Sequence, residues 1–369
     1  MEEKQLLMRQ TKRMIFMEVF SLSAFIMPYI VTSYGGRNGI FVLMIGLLLL
    51  LFFGVYFSFF SGLFPQGYEV WLKDNQDVFF GKIVAAIYGV RFLVRGIFAA
   101  EYFSALAKKY LLPKAGSFLI LFCFFGVILF ANYGGLLKRA KTLEFLYWWM
   151  LFPFLLVLFL GIWQISWDKV VPAGDFSLLE GLSGGWELFY MFLPCEFLLF
   201  TLPHTKGAGK AGGLVSVFLL IVVLMCGIYV ITLGTLGETL TVSNLWPGFW
   251  SLSFIPLPGG FLQRFELFLL LFWMLGMFAL LGGYSFYGAK LCGVFLKWKP
   301  FYIEVVFLVL VLLLASNGSD LWDSYEVFVM YMGYVDVFLA VILPLVVYGR
   351  KWRIESRRGE SEGIEGNGS

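Results

Sequence analysis

The feature that most limits what this chain can fold into is a series of long apolar segments. A helix needs about 20 mostly apolar residues to cross the hydrocarbon core of a bilayer. The segments show no alternation of period two, which excludes a membrane β-barrel. We therefore predict ten membrane-spanning helices, at residues 14–34, 38–60, 80–107, 114–133, 142–163, 185–203, 210–236, 261–290, 300–316 and 321–348.

The composition excludes a soluble globular protein. Hydrophobic residues make up 60% of the chain and charged residues only 14%, whereas soluble domains carry about 25% charged residues. With so few charged side chains, a soluble fold would expose too much apolar surface to water. We predict an all-α integral membrane protein of the lipid bilayer, and the net charge of +3 gives no reason to expect nucleic acid as a partner.

The residue types that carry most enzyme and metal chemistry are scarce. The four cysteines lie in or beside apolar segments without CxxC spacing, and His204 is the single histidine. Buried cysteines of this kind behave as small hydrophobic residues. We predict no metal site, no cofactor and no catalytic residue, and a membrane-embedded enzyme is the least supported class of function.

The distribution of lysine and arginine predicts the orientation, because these residues concentrate on the cytoplasmic side. With both termini in the cytoplasm, 19 of the 27 cations fall on that side, Arg139 among them, and 5 on the other. Residues 1–349 are predicted to form one permease-like transmembrane domain. The polar tail, residues 350–369, is predicted to be a disordered cytoplasmic segment, residues 61–79 an interfacial stretch, and residues 237–260 a structured cap.

Ten helices divide into two halves of five, and because five is odd the second half must run inverted to the first. Inverted repeats place a substrate site near the midplane, where the first helix of each half is interrupted. The first span contains Pro28 after Ser21 and Ser23, and the sixth contains Pro194 before Glu196. A break would expose backbone groups suited to an amino acid. A simple proline kink in a continuous helix is the alternative interpretation.

Charged residues inside the apolar segments are costly there and are usually functional or paired. Glu196 has three open roles: proton carrier, cation ligand or partner of an arginine. Arg91 and Arg95 share one helical face, and pairing of one of them with Glu196 is our hypothesis. Glu18 is predicted simply to reach the interface. The full set of predicted intramembrane charges is Arg91, Arg95, Glu101, Glu196, Arg264, Glu266 and Asp336.

Several short motifs together resemble one family. They are Met27-Pro28, Gly134-Gly135-Leu136 before a basic stretch, the segment from Glu196 to Pro203, Trp246-Pro247 with the block from Gly260 to Glu266 and Trp273, and Tyr331-Met-Gly-Tyr334. The chain resembles the B subunit of spore nutrient-germinant receptors, a branch of the amino acid–polyamine–organocation transporter superfamily. The Arg-Phe-Glu block with its upstream Trp-Pro is the most specific part of this likeness.

The resemblance implies a leucine-transporter-like fold of two inverted five-helix repeats. It also implies a small nutrient, commonly an amino acid, bound near mid-membrane, and a complex with A and C subunits in the spore inner membrane. The ligand-binding residues it implies are Ser21, Ser23, Ala24, Pro194, Cys195, Glu196 and Ala279.

The chain departs from the family at two places in the implied pocket. Ser-Leu-Ser-Ala replaces glycines at the predicted break in the first helix, and Phe278-Ala279-Leu280 replaces hydroxyl residues in the eighth. A less polar ligand, or loss of binding, would follow. The alternative function is a proton- or cation-coupled amino acid permease, with Glu196 or Asp336 carrying the coupling ion.

Overall fold

The computed structural model describes residues 5–74, 78–207, 212–254, 265–296, 298–317 and 321–365. Most of these residues are helical, in agreement with the predicted all-α class. The α-helices in chain order are α1 (Met8–Gly35), α2 (Gly39–Gly62), α3 (Tyr68–Asp74), α4 (Val78–Tyr110), α5 (Ser117–Asn132), α6 (Gly135–Gly161), α7 (Trp167–Val170), α8 (Leu178–Phe192), α9 (Leu198–Thr201), α10 (Gly212–Leu236), α11 (Glu238–Val242), α12 (Pro247–Trp250), α13 (Phe265–Cys292), α14 (Pro300–Ser316), α15 (Leu321–Glu326) and α16 (Tyr334–Glu365).

Shorter elements connect these helices. Two strands, β1 (Leu6–Leu7) and β2 (Thr205–Lys206), form a parallel pair. The other connecting elements are the 3₁₀ segments Gly36–Asn38, Ile162–Gln164, Leu193–Phe197, Leu202–His204 and Ser251–Phe254, and the π-helical segment Val327–Gly333.

Seven helical stretches of the described residues are long and apolar enough to cross a bilayer. One of them, Met8–Gly62, holds α1, a 3₁₀ turn and α2, and the apolar helices α5 and α14 are shorter. The exposed apolar side chains of α5, such as Phe122 and Phe130, are typical of a surface that faces lipid. The exact number of crossings and the inverted repeat stay predictions.

Helix α1 forms the centre of the bundle. Twenty of its 28 residues are buried, and it packs against α2, α6, α8, α10 and α13. Pro28 lies inside this helix, which continues unbroken to Gly35. The predicted interruption at Pro28 is therefore wrong, because neighbouring helices hold a proline-containing helix together within a membrane bundle.

Two connections follow the sequence prediction over the residues that the structure describes. In the stretch 61–79, the only described helix between the end of α2 and the start of α4 is the seven-residue α3, which is too short to cross a bilayer. The predicted cap contains α11, α12 and a 3₁₀ turn, and Gly248 lies so close to α1 that a Cβ would be 3.0 Å from the carbonyl oxygen of Ala24. Residues 255–260 of the cap lie outside the described residues.

The tail differs from its predicted disorder, because α16 stays helical through Glu365. Lys351 donates to the carbonyl oxygen of Leu63, and its Nζ lies 3.7 Å from Glu355 Oε1, one turn further along the helix. Pairs spaced by four residues stabilise a helix, and no proline interrupts residues 350–365. Residues 366–369 lie outside the described chain.

Candidate functional site: buried ion networks

Four charged side chains meet in the protein interior. Arg91 and Arg95 lie one turn apart on α4 and both reach Asp336 of α16. The distance from Arg91 Nε to Asp336 Oδ1 is 2.5 Å, and Arg95 Nε donates to the other oxygen, Oδ2. Arg91 Nη2 also donates to the Asp336 carbonyl oxygen at 3.2 Å. Asp336 lies three residues after the end of the π-helical segment, a distortion that often marks functional sites.

Glu196 completes this set, which we call the four-charge network (Arg91, Arg95, Glu196 and Asp336). Arg91 Nη2 lies 3.0 Å from Glu196 Oε2, and Arg95 Nη1 lies 3.4 Å from Oε1. The hypothesis that one arginine pairs with Glu196 is confirmed, and both arginines do so. The two positive and two negative charges sum to zero, which avoids the cost of a net charge in the membrane interior.

The four-charge network is not fully saturated with hydrogen bonds. Arg91 Nη1 and Arg95 Nη2 are buried and have no hydrogen-bond partner in the described part of the chain. Aromatic rings offset part of this cost, since the Arg91 guanidinium lies 5.1 Å from the Tyr88 ring centre and that of Arg95 lies 5.0 Å from the Tyr190 ring centre. Cation–π attraction of this kind is strongest away from water.

In the helix that carries Glu196, α-helical geometry gives way to a 3₁₀ segment at the predicted place, although Leu178–His204 stays helical throughout. The exposed backbone groups expected there stay a prediction. Helix α8 ends at Phe192, the 3₁₀ segment Leu193–Phe197 follows, and α9 begins at Leu198. Pro194 lies in the first turn of the 3₁₀ segment, where its missing N–H and its ring do not fit a continuing α-helix. The interruption places Glu196 against α4 and α16, the two helices that hold the rest of the four-charge network.

The predicted ligand-binding residues are all buried. Ser21 Oγ donates to the carbonyl oxygen of Met17, and Ser23 Oγ donates to that of Val19 at 3.0 Å. The carbonyl oxygen of Ala279 accepts from Arg139 Nη2 at 2.7 Å. Only Glu196 of the predicted set belongs to the four-charge network, and a role in nutrient binding stays a prediction for all seven: Ser21, Ser23, Ala24, Pro194, Cys195, Glu196 and Ala279.

A second buried polar group lies among α1, α5, α6, α13 and α14, and we call it the Glu18–Glu304 cluster (Glu18, Asn132, Arg139, Ser285 and Glu304). Arg139 Nη2 donates to Glu18 Oε1 at 2.6 Å, and Arg139 Nη1 donates to Asn132 Oδ1 at 3.0 Å. Asn132 Nδ2 donates to Glu304 Oε1 at 2.5 Å, and Ser285 Oγ donates to the same oxygen at 2.9 Å.

Most of this cluster was not predicted from the sequence. Glu18 is fully buried rather than interfacial. Arg139 is 1% exposed and lies within α6, which begins seven residues before the predicted span, so it is not one of the loop cations that set the orientation. Glu304 was detectable as a lone acid four residues into an apolar segment, whereas Asn132 gave no comparable signal.

Three polar side chains meet at the ends of α3, α13 and the sixth predicted span. Glu69 Oε1 lies 3.2 Å from His204 Nε2 and 3.1 Å from Lys290 Nζ. Burial by itself would raise the pKa of Glu69, but the hydrogen bond from His204 and the charge of Lys290 outweigh it and lower the pKa from 4.5 to about 2. Glu69 therefore stays ionised and connects three helices.

Of the remaining predicted charges, Glu101 is partly buried in α4. Arg264 lies outside the described residues, and the side chain of Glu266 is likewise not described. Within the described ranges, no three His, Cys, Asp or Glu side chains are grouped so that they would hold a metal ion.

Comparison with known proteins identifies the family. A sequence model of the family described as spore germination protein matches residues 5–320. The chain belongs to this family. The resemblance seen in the short motifs is thereby confirmed, and the family is not a known class of enzymes.

Three relatives from Bacillus subtilis (strain 168) share this family likeness. Spore germination protein YndE is 26% identical over 301 residues, which are 76% of this chain and 77% of the relative. Spore germination protein A2 is 25% identical over 77% of this chain and 78% of its own length, and spore germination protein B2 is 23% identical over 78% and 79%.

Proposed function

We propose that this protein is the nutrient-sensing transmembrane subunit of a spore germinant receptor. It would bind a small nutrient, an amino acid in the first instance, at mid-membrane beside the interrupted segment Leu193–Phe197. The observation that carries the proposal is the position of Glu196: a buried carboxylate on an interrupted helix, joined to two other helices through arginines. Family membership supports the same conclusion.

The four-charge network supplies a physical route from ligand binding to a conformational change. Arg95 Nη1 donates to Glu196 Oε1 over a long distance of 3.4 Å. Glu196 Oε2 lies 3.0 Å from Arg91 Nη2 but has no hydrogen-bond partner among the described residues. A nutrient ammonium group would compete with Arg95 for Glu196. Arg95 would then be held by Asp336 alone, and the balance of forces between the interrupted helix and α16 would change.

A nutrient can drive such a change only by binding the two conformations with different affinity. We propose that the shift passes to an A subunit and a C subunit in the spore inner membrane. In this arrangement ten spans form two inverted repeats and both termini lie in the cytoplasm, as the lysine and arginine count predicts.

The permease alternative receives less support from the geometry. It assigns the coupling ion to Glu196 or Asp336, yet both carboxylates are paired with arginines. A coupling proton or cation would add a net positive charge to this balanced network, whereas an amino acid carries no net charge and leaves the total charge balanced. Counterflow of labelled amino acid into liposomes that contain only this protein would support the permease, and its absence would support the receptor.

Binding can be tested by thermal unfolding of the detergent-purified protein, alone and assembled with A and C subunits, against amino acids, sugars and nucleosides. We expect one class of compound to raise the unfolding midpoint of the wild type. Glu196→Gln should abolish this ligand-dependent rise, measured against its own ligand-free midpoint, whereas Glu180→Gln, at an exposed position of α8, should retain it. No shift in either preparation would contradict nutrient binding.

A further inference from the structure

The two buried polar groups differ in their charge balance. The four-charge network has two guanidinium groups for two carboxylates. The Glu18–Glu304 cluster has one guanidinium, Arg139, for two carboxylates, and its other members, Asn132 and Ser285, are neutral. Glu18 is 0% exposed and Glu304 is 4% exposed. An uncompensated negative charge in such surroundings is strongly unfavourable, so the cluster needs one further positive charge.

A second observation points to a missing partner at the same place. Glu18 Oε2 is buried and has no hydrogen-bond partner among the described residues, although Oε1 of the same carboxylate is held by Arg139. Buried carboxylate oxygens are normally satisfied. The charge balance therefore indicates that the cluster binds a small cationic species, and the unpaired oxygen shows that the hydrogen bonding of Glu18 is also incomplete.

The arrangement of donors favours a proton over a metal ion. A metal would need several free oxygen ligands around one point. Here the carbonyl oxygen of Ala279 and Asn132 Oδ1 accept from Arg139, and the carbonyl oxygen of Gly282 accepts from Asn132 at 3.0 Å. The guanidinium thus occupies the centre of the oxygen-rich space, and a proton is the cation that still fits.

The two carboxylates differ in their partners, and this difference locates the proton. Glu18 is bound directly by the Arg139 guanidinium at 2.6 Å, which favours its ionised form. Among the described residues, Glu304 accepts only from the neutral donors Asn132 and Ser285. A buried carboxyl group without a direct cationic partner avoids the cost of charge by keeping its proton.

We propose that the Glu18–Glu304 cluster is a proton-binding site, with the proton on Glu304. The charged or titratable groups that face it within the described residues are Arg139 of α6 and Tyr287 of α13, whose hydroxyl contacts Thr201 Oγ1 at 2.6 Å. Loss of the proton would leave a net negative charge among five packed helices. Proton occupancy would thus influence their packing, whether or not a nutrient binds elsewhere.

Infrared spectroscopy of the purified wild-type protein tests this directly, because a protonated carboxylic acid has its own carbonyl absorption band. We expect the band at neutral pH. In the difference spectrum, Glu304→Gln should remove the component of the band that belongs to Glu304. Glu18→Gln should also remove it, because Arg139 would then balance Glu304 alone. Glu180→Gln should leave it unchanged. A wild-type protein without the band, or a difference spectrum between wild type and Glu304→Gln that shows no loss in this band, would overturn the proposal.

Two further measurements make the assignment specific. Ser285→Ala should shift the band, since Ser285 contacts Glu304 and not Glu18 in the structure, and an unshifted band would overturn the placement on Glu304. Thermal unfolding in sodium chloride and in choline chloride separates a proton from a metal cation. Equal midpoints are expected, whereas a rise specific to sodium that disappears in Glu304→Gln would show a metal cation instead.

Discussion

Asp336 Oδ1 lies 2.5 Å from Arg91 Nε, and this contact joins α4 to α16 across 245 residues of sequence. Because the pair is buried, removing one partner leaves the other charge uncompensated. Losses of this kind cost about 3–5 kcal/mol. The contact is therefore expected to contribute strongly to the folded state, independently of any ligand.

Arg91→Gln and Asp336→Asn should each lower the free energy of unfolding in detergent by about 3–5 kcal/mol. Each leaves the four-charge network with one unbalanced charge. The double variant restores neutrality and should recover part of the loss, which a double-mutant cycle would measure. Arg353→Gln, at an exposed position of α16, is the matched control and should change stability by less than about 0.5 kcal/mol. If the loss of unfolding free energy in the double variant equalled the sum of the two single losses, the coupling between Arg91 and Asp336 would be contradicted.

Arg139→Lys tests the geometry of the second cluster while keeping its charge. Arg139 donates to Glu18, Asn132 and the Ala279 carbonyl oxygen at once, and a lysine ammonium cannot reproduce this planar arrangement. We expect a loss of about 1.5–3 kcal/mol in unfolding free energy, the range for a hydrogen bond to a charged group. Arg353→Lys should leave the unfolding free energy unchanged. If Arg139→Lys were as stable as Arg353→Lys, the binding of several acceptors by Arg139 would be contradicted.

The main helices were predictable from the sequence because each apolar segment is long enough to be recognised by itself. Pro28 and Pro194 show what a local sequence pattern does not predict, namely whether a proline interrupts its helix. The segment around Pro194 is interrupted, whereas α1 passes through Pro28 unbroken, and the surrounding bundle decides which happens. Prolines in membrane helices are tolerated when neighbours support the backbone, and those neighbours are not visible in a local sequence window.

Arg139 shows a second limit of the sequence analysis. It lies between Lys138 and Lys141, and a basic stretch at the end of an apolar segment is typical of a cytoplasmic loop. Its burial depends on Glu18, which lies 121 residues away in the sequence, and on Asn132 at the end of the preceding helix. The pairing of Glu196 was predictable in kind, because a carboxylate in a membrane helix requires a partner, but the contribution of Asp336 was not.

The pH dependence of stability provides a test of the Glu69 contacts. The pKa of Glu69 is lowered to about 2 in the folded protein, from an ordinary value of 4.5. A lowered pKa stabilises the folded state above the ordinary value, and this contribution is lost as pH falls through the folded value. The stabilisation should therefore be complete above about pH 5 and decline from there toward pH 2.

Glu69→Gln removes this contribution, which is on the order of 3 kcal/mol for a pKa change of this size. The difference in unfolding midpoint between wild type and Glu69→Gln should be largest above pH 5 and shrink on acidification. Glu180→Gln serves as the exposed control and should follow the wild type throughout. A constant difference between wild type and Glu69→Gln across this range would contradict the ionic role.

The packing of α2 against α8 depends on Gly46, and this gives the last prediction. A Cβ at Gly46 would lie 2.6 Å from Leu188 Cδ2 and 3.1 Å from Leu188 Cβ. Leu188 is fully buried, and because its Cβ is attached to the backbone, a change of side-chain rotamer cannot relieve the contact. The helices would have to separate, and overpacking of this kind costs about 1–3 kcal/mol.

Gly46→Ala should therefore lower the thermal unfolding midpoint in detergent, even though alanine favours a helix over glycine by about 1 kcal/mol. Gly62 of the same helix is the matched control, because a Cβ there meets nothing within 4 Å. Gly62→Ala should leave the midpoint unchanged or raise it. Since α8 leads directly into the interrupted segment that carries Glu196, Gly46→Ala should also weaken the ligand-dependent rise in midpoint. If Gly46→Ala and Gly62→Ala had the same unfolding midpoint, close packing between α2 and α8 would be contradicted.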